Sequence, residues 1–246
     1  MTENTPSASV DTLQKFAMPL AIVVAGALIA GAVFMNGQKQ PVVAGGPQQA
    51  SVNIKDVKIG PDDPYIGKKD APVVMAYWSD YQCPFCKAVE VGGIPQIPIE
   101  PALPILIKDY VDAGKLKIVF KDFSFLGQDS DTAALYEHAI WQTYPDKFYA
   151  WREAMFKAQD DEGDNGFGDE ASILALIKTI SGMDADQLKN VVAQNKEKYL
   201  GLIQADETEA ASFGISGTPG FIVGTTLIAG ADQPAVFKAA IDNQLK

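Results

Sequence analysis

An α/β domain with a long helical stretch between its strands, preceded by a single N-terminal transmembrane helix, is the fold the sequence predicts. Three observations predict it. Val73 to Trp78 is an unbroken apolar run, which suits a strand buried on both faces. Residues 127–211 carry helical periodicity and are followed by two short apolar runs flanking Gly224-Thr225, a tight hairpin signal. Phe16 to Gln38 holds no charged residue, and its apolar part is long enough, at ~1.5 Å per residue, to cross most of a ~30 Å hydrocarbon layer.

In order along the chain, residues 1–15 form a polar tail and residues 16–38 the span. The span is either an uncleaved anchor, the reading favoured here, or a signal peptide cut near Ala30-Gly31-Ala32. Residues 39–51, with Pro41, Gly45, Gly46 and Pro47, make a linker, and the domain occupies 52–246. Val52 to Val57 alternates and predicts an edge strand; Pro61, Pro64 and Gly67 mark a surface loop. After the Val73–Trp78 strand a helix begins at Pro84, and the glycines and prolines of Val91 to Glu100 predict a looped insertion. That insertion is either an ornament or a contact surface for a partner. A helix over Ala102–Val111 and a strand over Leu116–Phe120 follow. Four helices are predicted next: Thr132–Tyr144, Lys147–Ala158, Ala171–Ser181 and Ala185 to about Ala211. The acidic run Gln159–Glu170 fails the EF-hand register, because Asn165 falls at the turn glycine and Ala171 at the bidentate Glu, and reads as a solvated loop. His138 reads as an ordinary packed or surface histidine, and Trp141 and Trp151 as core. Strands Gly220–Val223 and Thr226–Ala229 and a closing helix Pro234–Leu245 complete the domain.

The formal charge of −11 over 246 residues argues against nucleic acid or anionic headgroups as ligands. Only two cysteines are present, Cys83 and Cys86, spaced Cys-x-x-Cys. With Pro84 at the first helical position, Cys83 falls at the N-cap and Cys86 one turn later. A sulfur at a helix N-terminus meets unpaired NH groups and the positive end of the dipole, and both favour thiolate. Cys83 is therefore the expected attacking sulfur, exposed enough to react, and Cys86 the resolving one. Three other readings compete. A zinc site needs two more soft ligands, and His138 is the only histidine. A structural disulfide closing so short a loop removes little unfolded-state entropy. Two buried thiols acting as small hydrophobes leave Pro84 and the preceding strand unexplained.

Asp70-Ala71-Pro72, the Val73–Trp78 run and Ser79-Asp80-Tyr81-Gln82-Cys83-Pro84-Phe85-Cys86 together resemble the active-site entry of DsbA-like thiol-disulfide oxidoreductases of the thioredoxin superfamily. Lys117 to Phe123 is similar to that family's second core strand, and Phe213-Gly214-Ile215-Ser216-Gly217-Thr218-Pro219 to its cis-proline loop. The resemblance spans about residues 50–246. It implies a thioredoxin-like fold with a helical insertion at about 127–211, and catalysis by Cys83 and Cys86. It also implies an active-site loop of Pro84, Phe85, Thr218 and Pro219 that receives substrate, with the Thr218–Pro219 bond cis. No cofactor and no metal are implied. The substrates would be cysteine-containing exported proteins, and turnover would need a DsbB- or VKOR-type membrane redox partner. Such chemistry places the domain outside the cytosol, tethered to the cell membrane by its N-terminal helix.

Two departures leave the redox direction open. Phe85 stands where well-known oxidants of the family carry histidine, and Tyr77 where relatives usually carry an acid beneath the active site. Asp80 is a candidate substitute for that acid. An oxidase is the leading expectation. A reductase or isomerase of the same fold is the near alternative, and a non-catalytic module that binds peptides or soft metals the distant one.

Overall fold

The computed structural model describes residues 52–160, 164 and 166–246. The predicted tail, span and linker lie outside the described residues, and among the described residues no helix is long and apolar enough to cross a membrane.

The sheet contains Tyr65–Ile66 (β1), Val73–Ser79 (β2), Leu116–Asp122 (β3), Gly220–Val223 (β4) and Thr226–Ala229 (β5), side by side in the order β1-β3-β2-β4-β5. Only the central β2–β3 pair is parallel, so the chain must cross over between these strands. Pro84–Glu90 (α1) and Ala102–Leu106 (α2), the latter running on as a π-helical turn over Ile107–Val111, make that crossover. Between β3 and β4 lie Gln128–Thr143 (α3), Phe148–Ala158 (α4), Glu170–Thr179 (α5) and Ala185–Ser212 (α6), and Pro234–Gln244 (α7) closes the chain. Asp169 and Asp184 start α5 and α6 by accepting from the NH groups of Ser172 at 2.8 Å and Gln187 at 3.0 Å. The fold is α/β and thioredoxin-like, with a helical insertion.

The period-2 pattern of the strands sorts two cores. Met75 and Tyr77 pair with Ile118 and Phe120 and share one face with Phe221, the α2 leucines and Phe237 of α7. Ala76, Trp78 and Ile222 fill the other face beneath Ala210 and Ile215. Both faces are covered, which is why β2 reads as a continuous apolar run.

The predicted edge strand over Val52–Val57 is not one. Asn53 accepts from the Lys55 NH at 3.0 Å and turns the backbone into a 3₁₀ helix over Ile54–Asp56, while Val52 and Val57 pack against the Trp78 side. The edge is β1 instead, inside the stretch expected as a loop, with Tyr65 opposite Val119 and Ile66 opposite Ile118. Val91–Glu100 is irregular as expected, and Gly92 and Gly93 take φ of 71° and 82°, left-handed values that glycine adopts without penalty.

Charge ties α6 to the end of β3. Buried Lys121 meets Asp206 at 2.5 Å, Asp63 at 2.9 Å and Glu209 at 3.5 Å, and the Asp122 NH donates to Asp206 at 3.0 Å. His138 is buried, Nε2 lying 2.7 Å from Asp122, with its ring stacked on Tyr199. Burial lowers its pKa, but Asp122, with Glu137 and Asp206 beyond, outweighs burial and raises it to about 9. A folded-state pKa above the unfolded ~6.5 means that the folded protein holds the extra proton, so this contribution is full below ~6.5 and fades as pH rises through 9. It is worth about 3 kcal/mol at most. Urea midpoints should therefore show that His138→Gln costs about 2–3 kcal/mol more near pH 6 than near pH 9.5. A cost independent of pH would contradict the charged pair.

Candidate active site

Cys83 is the N-cap of α1, with extended backbone at φ −76° and ψ 120°, and Pro84 opens the helix. An Asp80 carbonyl that accepts from the Cys83 NH at 3.1 Å turns the chain out of β2 toward the helix. Cys86 lies one turn on, inside α1. Both cysteines are free thiols. Cys86 is wholly buried and Cys83 is 4% exposed, so the expectation of an exposed attacking sulfur needs correction. What opens to solvent is the neighbouring Phe85, at 49%.

The loop before β4 closes the site. The Thr218–Pro219 peptide bond is cis, Pro219 is buried, and the Cys83 thiol donates to the Thr218 carbonyl at 3.4 Å. All six residues singled out from sequence, Cys83, Pro84, Phe85, Cys86, Thr218 and Pro219, therefore lie on the start of α1 or on the loop before β4, which meet at the Cys83 sulfur.

Electrostatics separate the two thiols. A hydrogen bond from Cys86 is the largest influence on Cys83; burial opposes it, and the Thr218 hydroxyl and the NH groups of Cys86 and Phe85 add to it. The Thr218 hydroxyl is buried without a hydrogen-bond partner among the described residues, close enough to favour the thiolate form of either sulfur. The Cys83 pKa is lowered to about 7, while burial pushes Cys86 well above the ordinary thiol range. Near neutrality one sulfur is half ionised and the other is not.

Asp80 does not serve as the missing acid. Its carboxylate accepts from the NH groups of Gln82 at 2.8 Å, Phe125 at 3.0 Å and Leu126 at 3.2 Å, and from Ser130 Oγ at 2.7 Å. Four donors saturate a carboxylate. It clamps the segment after β3 onto the cysteine loop. A second support comes from Gln159, assigned to a solvated loop by sequence but in fact buried. Its Nε2 donates to the carbonyls of Tyr81 at 2.6 Å and Cys83 at 3.1 Å, and its own carbonyl receives Lys87 Nζ at 2.6 Å. Gln82 reaches into the same acidic segment, donating to the Phe167 carbonyl at 3.1 Å. The arrangement presents a readily ionised sulfur against the Thr218 backbone, with a second thiol held behind it. That is the equipment of dithiol-disulfide exchange.

Comparison with known proteins agrees with this chemistry. Residues 60–243 match the family model described as Thioredoxin. The chain is 28% identical over 181 residues to a protein of Bacillus anthracis named probable disulfide bond formation protein D, covering 74% of this chain and 77% of that one. It is also 28% identical over 183 residues to disulfide bond formation protein D of Bacillus subtilis, with 74% and 77% covered. Among solved structures, oxidised BdbD from Bacillus subtilis superposes with a TM-score of 0.64 at 28% identity, over 75% of this chain and 93% of that one. The thiol-disulfide exchange protein α-DsbA2 from Wolbachia pipientis superposes with a TM-score of 0.61 at 26% identity, over 74% and 86%.

Proposed function

The chain belongs to the thioredoxin family and is a thiol-disulfide oxidoreductase, and from that premise we propose that it introduces disulfides into exported proteins from the outer side of a membrane. The oxidised Cys83–Cys86 pair is attacked at Cys83 by a substrate thiolate, giving a mixed disulfide and releasing the Cys86 sulfur. The substrate's second thiolate then attacks its own bridged sulfur, and Cys83 leaves as thiolate. The substrate has lost two electrons and the enzyme pair has gained them. A DsbB- or VKOR-type membrane partner takes those electrons away, and no cofactor is required. The charge-free stretch 16–38 supports the tether, and the disulfide chemistry supports an extracytoplasmic domain.

The observation that carries the reading is the Cys83 sulfur, held at a helix N-cap against Thr218 with its pKa lowered to about 7. Stabilising the reduced form in this way makes the pair more oxidising, by about 3 kcal/mol relative to an unperturbed thiol. The strongest oxidants lower this pKa to ~3.5, so a moderate oxidase is expected, and the same observation favours an isomerase as the second reading. Equilibrium with glutathione decides between them, using the full chain recovered from alkali-washed membranes. A potential between ~−230 and ~−120 mV is expected. A value below ~−270 mV would reverse the direction to reductase, and loss of the chain into the alkaline wash would remove the tether.

A further inference from the structure

A buried amide from the helical insertion reaches the turn that carries Cys83. Gln159 is 5% exposed and caps α4, its NH donating to the Met155 carbonyl at 2.9 Å. Its backbone carbonyl receives Lys87 Nζ of α1 at 2.6 Å, so the backbone is held on both sides. The side chain then donates from Nε2 to the Tyr81 carbonyl at 2.6 Å and the Cys83 carbonyl at 3.1 Å. Only the NH2 end suits that place, because Oε1 would face two carbonyl oxygens. These two carbonyls flank Gln82, where the chain turns from β2 into α1. The Cys83 carbonyl also accepts the Lys87 NH at 3.1 Å, the first bond of α1. One side chain therefore holds both the helix N-cap and the residue two before it. Both cysteines are free thiols, so these are the bonds of the reduced form.

We infer that Gln159 is a positioning residue for the reduced site, keeping Cys83 at the N-cap of α1 when no disulfide does so. In the oxidised protein the Cys83–Cys86 bond itself ties the N-cap to the first turn. Reduction removes that tie. The Cys83 sulfur then keeps its place beside the NH groups of Phe85 and Cys86 and against the Thr218 carbonyl only as well as its backbone is held, and Gln159 holds that backbone from outside the turn. The helix field that favours thiolate falls off within the first turn, so a small displacement of the sulfur forfeits it. Gln159 is neutral, and the titratable side chain facing Cys83 is Cys86, which burial keeps protonated. The clamp thus acts through position and adds no charge. Its loss weakens the reduced form more than the oxidised one and makes the pair less oxidising.

The role rests on the exchange chemistry proposed above, and its test on the full chain keeps the two apart. Gln159→Met fills the space without a donor; Gln159→Glu is nearly isosteric but, once ionised, turns only acceptors toward the two carbonyls. In both variants, thiolate absorbance against pH should show the Cys83 pKa risen from about 7 toward the ~8.5 of free cysteine. A lowered thiol pKa stabilises the reduced form only above that pKa, so equilibrium with glutathione should carry the same change as a pH profile. For a rise of about one pKa unit, Gln159→Met should be a weaker oxidant than the wild type by a factor near 1 at about pH 6, about 2 near pH 7 and about 10 near pH 9. The last factor corresponds to about 30 mV. Urea midpoints should fall further for the reduced variants than for the oxidised ones. A role in the fold alone would lower both redox forms equally and leave the Cys83 pKa and the pH profile where they were. That result, or failure of both variants to fold in either redox form, would overturn the positioning role alone. Absence of exchange with glutathione in the wild type would overturn the exchange reading and the role with it.

Discussion

Arg152→Met is expected to destabilise the domain by about 3–5 kcal/mol near neutral pH, the usual cost of stripping one partner from a buried ionic cluster. Arg152 is fully buried, and its guanidinium bonds Glu90 at 2.8 Å, Glu137 at 3.2 Å, Ser79 Oγ at 2.8 Å and the Tyr81 hydroxyl at 3.1 Å. It also stands over the Phe120 ring at 4.2 Å. These contacts knit β2, α1, α3 and α4 together directly behind the cysteine loop. Tyr81 donates to Glu137 and packs its ring between Trp151 and Phe156, so the residue two before Cys83 is fixed by the same cluster. Methionine fills most of the volume but leaves two carboxyls buried without their cation. Burial already raises both pKa values, and losing the cation raises them further. A raised carboxyl pKa is stability lost as pH rises, so the variant should recover part of its deficit between about pH 8 and pH 5. Adding Glu90→Leu and Glu137→Leu should restore much of the stability at all pH values. Urea midpoints across pH measure this. A single substitution costing under about 1 kcal/mol would show that the cluster is solvated after all.

Where one periodicity dominated, the fold was legible. Strands Gly220–Val223 and Thr226–Ala229 and the start of the long helix at Ala185 stand where pattern and turn residues put them. Alternation over Val52–Val57 failed because the Asn53 side chain offers the backbone a nearer partner than any strand does. The two-residue β1 is too short to carry a period, and its register is set by β3 across the sheet. The cysteine and Thr218-Pro219 loops were readable because local geometry and a distinctive motif coincide there. The supporting residues were not, since each acts over a long sequence separation. Gln159 sits in an acidic, glycine-rich run that composition assigns to solvent, yet its amide crosses to the Cys83 carbonyl. Glu90 reads locally as an ordinary helix residue, and nothing near it in sequence says that it is buried against Arg152 of a later helix. One signal was available: Arg152 is the only arginine in the chain, and a lone arginine amid the apolar residues of a helix is the natural cation for buried carboxyls.

The second large effect concerns the two sulfurs themselves. With Cys83 ionising at about 7, about half of it is thiolate near neutrality, while burial holds Cys86 well above the ordinary thiol range and keeps it protonated. Burial adds to the contrast, since Cys86 is wholly buried while Cys83 keeps 4% of its surface exposed. In Cys86→Ser the serine hydroxyl can still donate to Cys83, so a reactive sulfur remains with nothing to resolve it. Mixed disulfides with substrates should accumulate. In Cys83→Ser the remaining thiol is buried and protonated, and adducts should be absent. A structural disulfide or a metal site would lose the same bond or ligand in either variant and predicts no such asymmetry. The direct measurement is a non-reducing gel of the full chain taken from cells after acid quenching. The account predicts higher-mass species for Cys86→Ser that collapse on adding reductant and none for Cys83→Ser. Equal adduct levels from both variants, or none from either, would contradict Cys83 as the attacking sulfur.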